Sequence, residues 1–267
     1  MRYQGTIDEF IGDGILVIFG APLRREDDTQ RAVACAVAMQ LAMASVNEQN
    51  RREGLPEVEM GIGLNTGEVV VGNIGSYRRT KYGVVGSHIN LTARIESCTL
   101  GGQILISEAV LKDVGSILKI GEPMEVEAKG FEKPVILYDL RGIGGPYNLY
   151  LPEREEILSP LQEEVPVRYR VLEGTHFGGT LFQGSLVKVS PKGGEVRAEH
   201  PPAPLTTVRM QYVHPGGEEI PGDLYGKVVG RSAGEGGHFS IRFTSIPPKV
   251  NAFLQSLLAA CSEPRIS

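Results

Sequence analysis

A chain of 267 residues, 41% hydrophobic and 22% charged, is long enough for one large domain or two ordinary ones and has the make-up of a soluble globular protein. Its net charge of −5 argues against a protein built to coat nucleic acid, while leaving room for a local phosphate site that needs only a few donors. Three scattered cysteines (Cys35, Cys98 and Cys261) with no CxxC spacing favour free thiols in a reducing compartment over a disulfide frame or a zinc site. The most apolar run, "AVACAVAMQLAMA" at 32–44, has 13 residues, too few to span a bilayer and too far in for a signal peptide. No nucleic-acid partner, no membrane segment and a cytoplasmic location are the resulting expectations.

The first half of the chain alternates strand-like and helix-like stretches. Residues 6–11 and 15–19 read as an antiparallel strand pair joined at Gly12-Asp13-Gly14. Asp27, Asp28 or Thr29 can cap a helix that runs to about residue 50. Within it Ala32, Cys35, Ala36, Met39, Met43 and Val46 recur at helical spacing and mark the expected apolar face. In "VEMGIGLNTGEVVVGNIGS" the triplet Asn65-Thr66-Gly67 reads as a turn between two strands. "YRRTKYGVV" is the next strand, "SHINLTARIESC" a helix and "GGQILIS" a buried strand. A short helix at 107–114 and two or three further strands end near Leu140. Strands mixed with helices in this way predict an α+β or α/β sandwich.

From 142 to about 165 the texture changes, and Gly, Pro and Glu dominate a stretch that reads as a linker or extended strap. Residues 166–246 then show short alternating runs, among them "VRYRVL", "LFQGSLVKV", "TTVRMQYV" and "HFSIRF", separated by Gly- and Pro-rich turns. That pattern predicts a small all-β barrel. "PPKVNAFLQSLLAAC" closes the chain as a helix with Val250, Phe253, Leu254, Leu257 and Leu258 on one face. The expected organisation is an α+β domain over 1–141, a linker over 142–165 and a barrel with its helix over 166–267. His176, His200, His214 and His238 lack metal-ligand spacing and read as surface or barrel residues.

Two stretches carry chemistry. An aspartate between glycines in a tight strand connection, as at Asp13, can bring a carboxylate close to a metal-phosphate group; it can equally be a turn residue bonded to its own backbone. In "YGVVGSHINLTARIES" Asn90 and Arg94 stand at i and i+4, so both project from one helix face above a Gly86-Ser87 start. An amide and a guanidinium so placed can hold a sugar and a developing negative charge. The second stretch can equally be a solvated helix face; taken together and in this order, the two favour a site over a turn and an unrelated helix face.

"TIDEFIGDGILVIFG", "GIGLNTGEVVVGNIGS", "YGVVGSHINLTARIES", "GGQILIS" and "AKGFEKPV" resemble, in order, consecutive blocks of the catalytic domain of class III adenylate and guanylate cyclases. The resemblance covers roughly residues 5–140. It implies a ferredoxin-like α+β sandwich in which metal-binding aspartates hold divalent ions, Mg2+ or Mn2+, at the triphosphate. It further implies metal binding for Asp13, ribose positioning for Asn90, stabilisation of the pentavalent phosphorus by Arg94, and a triphosphate contact for Lys129. Because the asparagine and arginine serve the facing subunit's aspartate in this family, a homodimer with shared sites is implied. ATP-using members usually carry a lysine four positions before this aspartate, and an aspartate or threonine three before the glycine that opens the helix. Those positions are Glu9 and Gly83. A carboxylate accepts from guanine N1–H and its 2-amino group, whereas adenine N1 is itself an acceptor. Glu9 therefore points to GTP over ATP, and Gly83 either leaves the usual second contact to a backbone group or relaxes selectivity.

Class III cyclases normally begin with a strand carrying a first metal aspartate, in a pattern like phenylalanine-x-aspartate-aliphatic-x-glycine-phenylalanine-threonine. No such block occurs in this sequence, so the expected sandwich lacks its first strand, with unpaired edges and an exposed core face. Either the true start lies upstream, which the presence of Asp13, Asn90 and Arg94 favours, or the chain is a degenerate cyclase with one carboxylate for two metals. "SLVKVSPKGGEVRA" resembles PilZ-type barrels, which bind cyclic di-GMP through an Arg-x-x-x-Arg segment and an Asp/Asn-x-Ser-x-x-Gly motif. Ser190 and Gly193 fit the second motif, but Lys188 stands at its acid or amide position, and Arg168 and Arg170 have the wrong spacing for the first. Cyclic di-GMP is therefore not expected as a ligand, and a packing or protein-contact role is. A non-catalytic, cyclase-like regulator is the rival from another class.

Overall fold

The computed structural model describes residues 2–76, 78–126, 134–153, 157–173, 176–213, 219–232 and 237–262, and the chain divides into two compact units, Met1–Glu153 and Arg154–Ser267. In the first, β1 (Thr6–Ile11) and β2 (Gly14–Ile18) form the expected antiparallel hairpin. Ile11 pairs with Gly14, so Gly12 and Asp13 are the two turn residues, and Gly12 takes φ +62°. A positive φ at the first central position is what a tight hairpin turn of type II′ requires, which explains the glycine before Asp13.

Helix α1 (Asp28–Arg52) follows. Its buried face is Val33, Ala34, Ala36, Val37 and Gln40, whereas Met39 and Val46 of the expected face are exposed. The alanine-rich stretch is apolar almost all round, so hydrophobicity alone does not select a face. Polar groups select it instead. Gln40 Nε2 donates to the carbonyls of Met60 (2.6 Å) and Gln103 (3.3 Å), and buried Arg31 donates to the Tyr3 carbonyl (2.8 Å) and to Asp27 (2.9 Å). A buried amide or guanidinium must be satisfied, so these bonds dictate the rotation of the helix.

The remaining elements of the unit are β3 (Ile62–Leu64), β4 (Val70–Ser76), β5 (Arg79–Val85), α2 (Ser87–Cys98), β6 (Ile104–Ser107), α3 (Glu108–Val114), β7 (Leu118–Val126), β8 (Val135–Ile143) and β9 (Leu149–Tyr150). Asn65-Thr66-Gly67 does join two strands, but they are not partners: β3 pairs in parallel with β6, and β4 pairs with β5. The main sheet runs β3-β6-β8-β7, with β9 on β8. Every residue of β6 is buried. Ile104 and Ile106 share a core with α1 and α3, and by alternation Leu105 faces the other side, towards α2. The β1–β2 and β4–β5 hairpins are separate two-stranded sheets, and they leave Phe10 (68%), Ile11 (61%) and Val70 (66%) exposed.

The second unit holds β10 (Ser159–Glu173), β11 (His176–Phe177), β12 (Phe182–Ser190), β13 (Gly193–Arg197), β14 (Thr207–Tyr212), β15 (Leu224–Ser232), β16 (His238–Ser245) and α4 (Pro248–Ser262). Six of these strands close into an antiparallel barrel in the order β10-β12-β13-β16-β15-β14, with β14 returning to β10. Strict alternation of buried and half-buried residues in β14 and β16 packs one face of each inward. Tyr169 stacks on Phe182 and meets Phe239 edge-on, both at 5.4 Å. The predicted apolar face of α4 packs on this core, with Val250 and Leu254 buried and Phe253 lying 5.7 Å from Tyr212.

The stretch expected as a linker, 142–165, is ordered structure at both ends. Leu149–Tyr150 pairs with β8, and β10 starts at Ser159. Its prolines and glutamates suit an edge and a bulged strand start as well as a linker; the β10–β12 register shifts between Pro160 and Val165. Among the described residues, no helix is long and apolar enough to cross a membrane, and all three cysteines are free.

Candidate active site

Three elements of the first unit carry the site residues. Glu9 lies on β1, whose register against β2 shifts between Ile7 and Glu9. Its Oε1 accepts from Lys81 Nζ on β5 at 2.5 Å. Lys81 and Gly83 are two apart on β5 and so share one face of that strand. Glu9 is half exposed, which limits the pair to roughly 0–1 kcal/mol of stability; its effect is to tie the carboxylate to the strand that bears Gly83. Asp13 is exposed at the tip of the β1–β2 turn.

Asn90 and Arg94 lie on α2, the first exposed and the second half-buried, with the Arg94 stem lining a small apolar cleft with Leu91, Ile95 and Leu137. Gly86 opens the helix at φ +154°, a conformation that favours glycine. What seats α2 is a glycine series in β3 and the turn that follows it. A Cβ at Gly63 would fall 2.5 Å from the Glu96 nitrogen, and one at Gly67 would overlap the His88 ring. Asn65 Nδ2 meets His88 Nδ1 at 3.2 Å and the His88 carbonyl at 3.3 Å. The spacing in "GIGLNTG" was the available signal: small residues on one strand face allow a helix backbone to come close. Lys129 lies outside the described residues.

The donor set bears on metal binding. Among the described residues, no group of three or more His, Cys, Asp or Glu side chains is gathered as for a metal ion. Mg2+ is commonly held by one or two carboxylates together with substrate phosphates rather than by an all-protein cage. Asp13 alone, exposed on the β1–β2 turn, fits one such ion arriving with a triphosphate. It does not furnish a two-ion centre.

In the barrel, the residues that resemble a ligand motif are used internally. The Ser190 hydroxyl donates to the Gly193 carbonyl and accepts from the Lys192 N–H, both at 3.3 Å, within the β12–β13 turn. Arg168 bonds Glu219 at 2.5 Å, and Arg170 donates to the Gly179 carbonyl at 3.1 Å. Lys188 reaches Glu195 at 2.7 Å, and the same carboxylate contacts His238 Nδ1 at 2.9 Å. Of the other barrel histidines, His200 is exposed, and His214 and the His176 side chain lie outside the described residues.

The Lys188 ammonium bonded to Glu195 holds its carboxyl below the ordinary 4.5, against the opposing effect of burial and with help from His238. A folded pKa below the unfolded one stabilises above the unfolded value, and that contribution disappears as pH falls through the folded one. The barrel's melting temperature is therefore expected to hold above about pH 5 and to drop below about pH 4. Glu195→Gln, followed calorimetrically across that range, should flatten the drop; an unchanged acid limb would leave the cluster without a stabilising role.

The architecture is that of an α+β nucleotidyl-cyclase unit followed by a closed antiparallel barrel. Residues 6–142 match the family model "Adenylate and Guanylate cyclase catalytic domain", and 154–260 match the PilZ domain. With half of its length so matched, the chain belongs to the adenylate and guanylate cyclase family. It is 58% identical to the guanylyl cyclase Cya2 in crystal form, over 57% of this chain and 77% of that one, with a TM-score of 0.55. The adenylyl cyclase CyaB from P. aeruginosa is 34% identical over 52% of this chain and 72% of its own, with a TM-score of 0.50. Adenylate cyclase 1 of Rhizobium meliloti is 29% identical over 53% of this chain, and the adenylate cyclase of Anabaena cylindrica 32% over 51%. The chain spans 22% and 28% of the length of those two enzymes.

Proposed function

We propose that this chain works as a nucleotidyl cyclase with a preference for GTP over ATP, acting as a homodimer in intracellular signalling. The ribose 3′-oxygen bonds to the α-phosphorus, the bond from that phosphorus to the pyrophosphate oxygen breaks, and the hydroxyl proton leaves to solvent or base. The products are a 3′,5′-cyclic nucleotide and pyrophosphate. Asn90 orients the ribose, and the Arg94 guanidinium neutralises charge building on the equatorial oxygens; positioning and charge neutralisation are most of what phosphoryl transfer needs. Asp13 holds a divalent ion, Mg2+ or Mn2+, which supplies charge compensation at the triphosphate when bound. Lys129 is a further triphosphate contact.

The observation that carries the GTP reading is the Glu9 carboxylate, held by Lys81 on the strand face that bears Gly83. The naming of the 58%-identical structure as a guanylyl cyclase supports it. Because Lys188 stands at the acid or amide position of the cyclic di-GMP motif and Arg168 and Arg170 lack the arginine spacing, the barrel serves packing or protein contacts rather than cyclic di-GMP. Incubation with GTP or ATP, with Mg2+ or Mn2+ present, and chromatographic separation of the products tests the proposal. Cyclic GMP should exceed cyclic AMP, and Glu9→Lys should reverse the order. Tight nucleotide binding with no cyclic product from either substrate would instead support a non-catalytic regulator, a reading favoured by the single carboxylate at the hairpin tip.

A further inference from the structure

Beside Glu9 stands a carboxylate with no assigned task. The register shift in β1 makes Asp8 the extra residue of a bulge, with Ile7 opposite Val17 and Glu9 already opposite Leu16. A bulge turns two consecutive side chains towards one side of the strand. Here both meet β5: Glu9 bonds Lys81, and Asp8 reaches Gly83. A Cβ at Gly83 would lie 3.6 Å from Asp8 Oδ1 and 4.0 Å from Oδ2, so the aspartate stands where a side chain at position 83 would project. Asp8 Oδ1 is buried and, among the described residues, has no hydrogen-bond partner. A buried acceptor left bare is costly, and it calls for a donor.

Resting on the reading of Glu9 and Gly83 as the base-facing positions, we infer that Lys81, Glu9 and Asp8 form a three-point reader of guanine, with Asp8 receiving the 2-amino group. Along this edge the groups run donor, acceptor, acceptor. The Lys81 ammonium has three donors, of which Glu9 occupies one. Guanine presents the complement: the O6 acceptor, then the N1–H and 2-amino donors. Adenine presents a 6-amino donor to the lysine and a bare N1 acceptor to the carboxylate, and it has nothing for Asp8. The arrangement also answers why Gly83 is tolerated without a side chain. The second base contact has moved from β5 to the bulge of β1.

Inosine triphosphate isolates the point, since it keeps O6 and N1–H and lacks the 2-amino group. Titration calorimetry of the full chain with Mg2+ and GTP, ITP or ATP should show GTP bound about tenfold more tightly than ITP, as expected for one hydrogen bond to a charged acceptor. Asp8→Ala should erase that difference by weakening GTP alone. Asp8→Asn, which keeps the shape, should narrow it. Lys81→Met should weaken GTP and ITP together and should not weaken ATP. If wild-type chains prefer GTP to ATP yet bind GTP and ITP equally, or if Asp8→Ala weakens all three nucleotides alike, Asp8 is a structural residue and the inference fails while the GTP reading stands. If GTP and ATP bind equally, the base-facing reading itself fails and takes the reader with it.

Discussion

Chains carrying Asp13→Ala and chains carrying Arg94→Ala, each inactive alone, are expected to regain cyclase activity when mixed. Asp13 sits on the β1–β2 turn and Arg94 on α2, and the family resemblance assigns them to one site contributed by two facing subunits. Each substitution removes half of every site in its own homodimer. Loss of the Arg94 guanidinium should lower turnover about 10²- to 10³-fold, the usual consequence of removing one preorganised group that stabilises transition-state charge. In a mixed dimer one site carries both lesions and the other carries neither. Random pairing makes half of the dimers mixed, so about one quarter of the wild-type sites should return. A mixture no more active than its parents would mean that the sites are not shared, and would remove the reason to read this chain as a head-to-tail dimer.

Gly63→Ala should be as damaging as a deletion in the core, although it adds one methyl group. The new Cβ would stand 2.5 Å from the Glu96 nitrogen and 2.8 Å from its Cα, and backbone cannot swing aside as a side-chain tip can. Either α2 lifts from β3 or the strand bends. Overpacking of this kind costs about 1–3 kcal/mol. Because α2 carries Asn90 and Arg94, a shift of about 1 Å should also lower turnover about 10²-fold, more than it changes substrate affinity. Gly121→Ala on β7 is the control. There a Cβ meets only ordinary contacts at 3.5 Å from Asp139, and melting temperature and activity should stay near wild type. Equal effects from the two substitutions would rule out close seating of α2 as the cause.

Much of the fold was legible because its signals are local. The β1–β2 hairpin follows from a glycine able to take φ +62° before Asp13, and the barrel from alternating strands broken by Gly and Pro. The apolar face of α4 follows from spacing alone, since its other side is polar. The face of α1 was not legible for the opposite reason. A helix that is alanine-rich on every side is rotated by whichever polar groups must be satisfied, in this case Arg31 and Gln40, which donate to the Tyr3 and Met60 carbonyls 28 and 20 residues away. The 142–165 segment misled because Pro and Glu occur in strand edges as readily as in linkers.

The sequence by itself determined the two-domain organisation, the cyclase blocks and the identity of Glu9, Asp13, Asn90 and Arg94 as candidates, since each depends on residue type and order along the chain. Only the tertiary structure decided what surrounds them. That Lys81 meets Glu9 across 72 residues, that Asp8 lies over Gly83, and that Gly63 and Asn65 seat α2 all depend on a bulge and on strand pairing. A bulge moves a side chain from one face to the other by a single residue's shift in register, and register is set by the packing of the whole unit rather than by any stretch of its sequence.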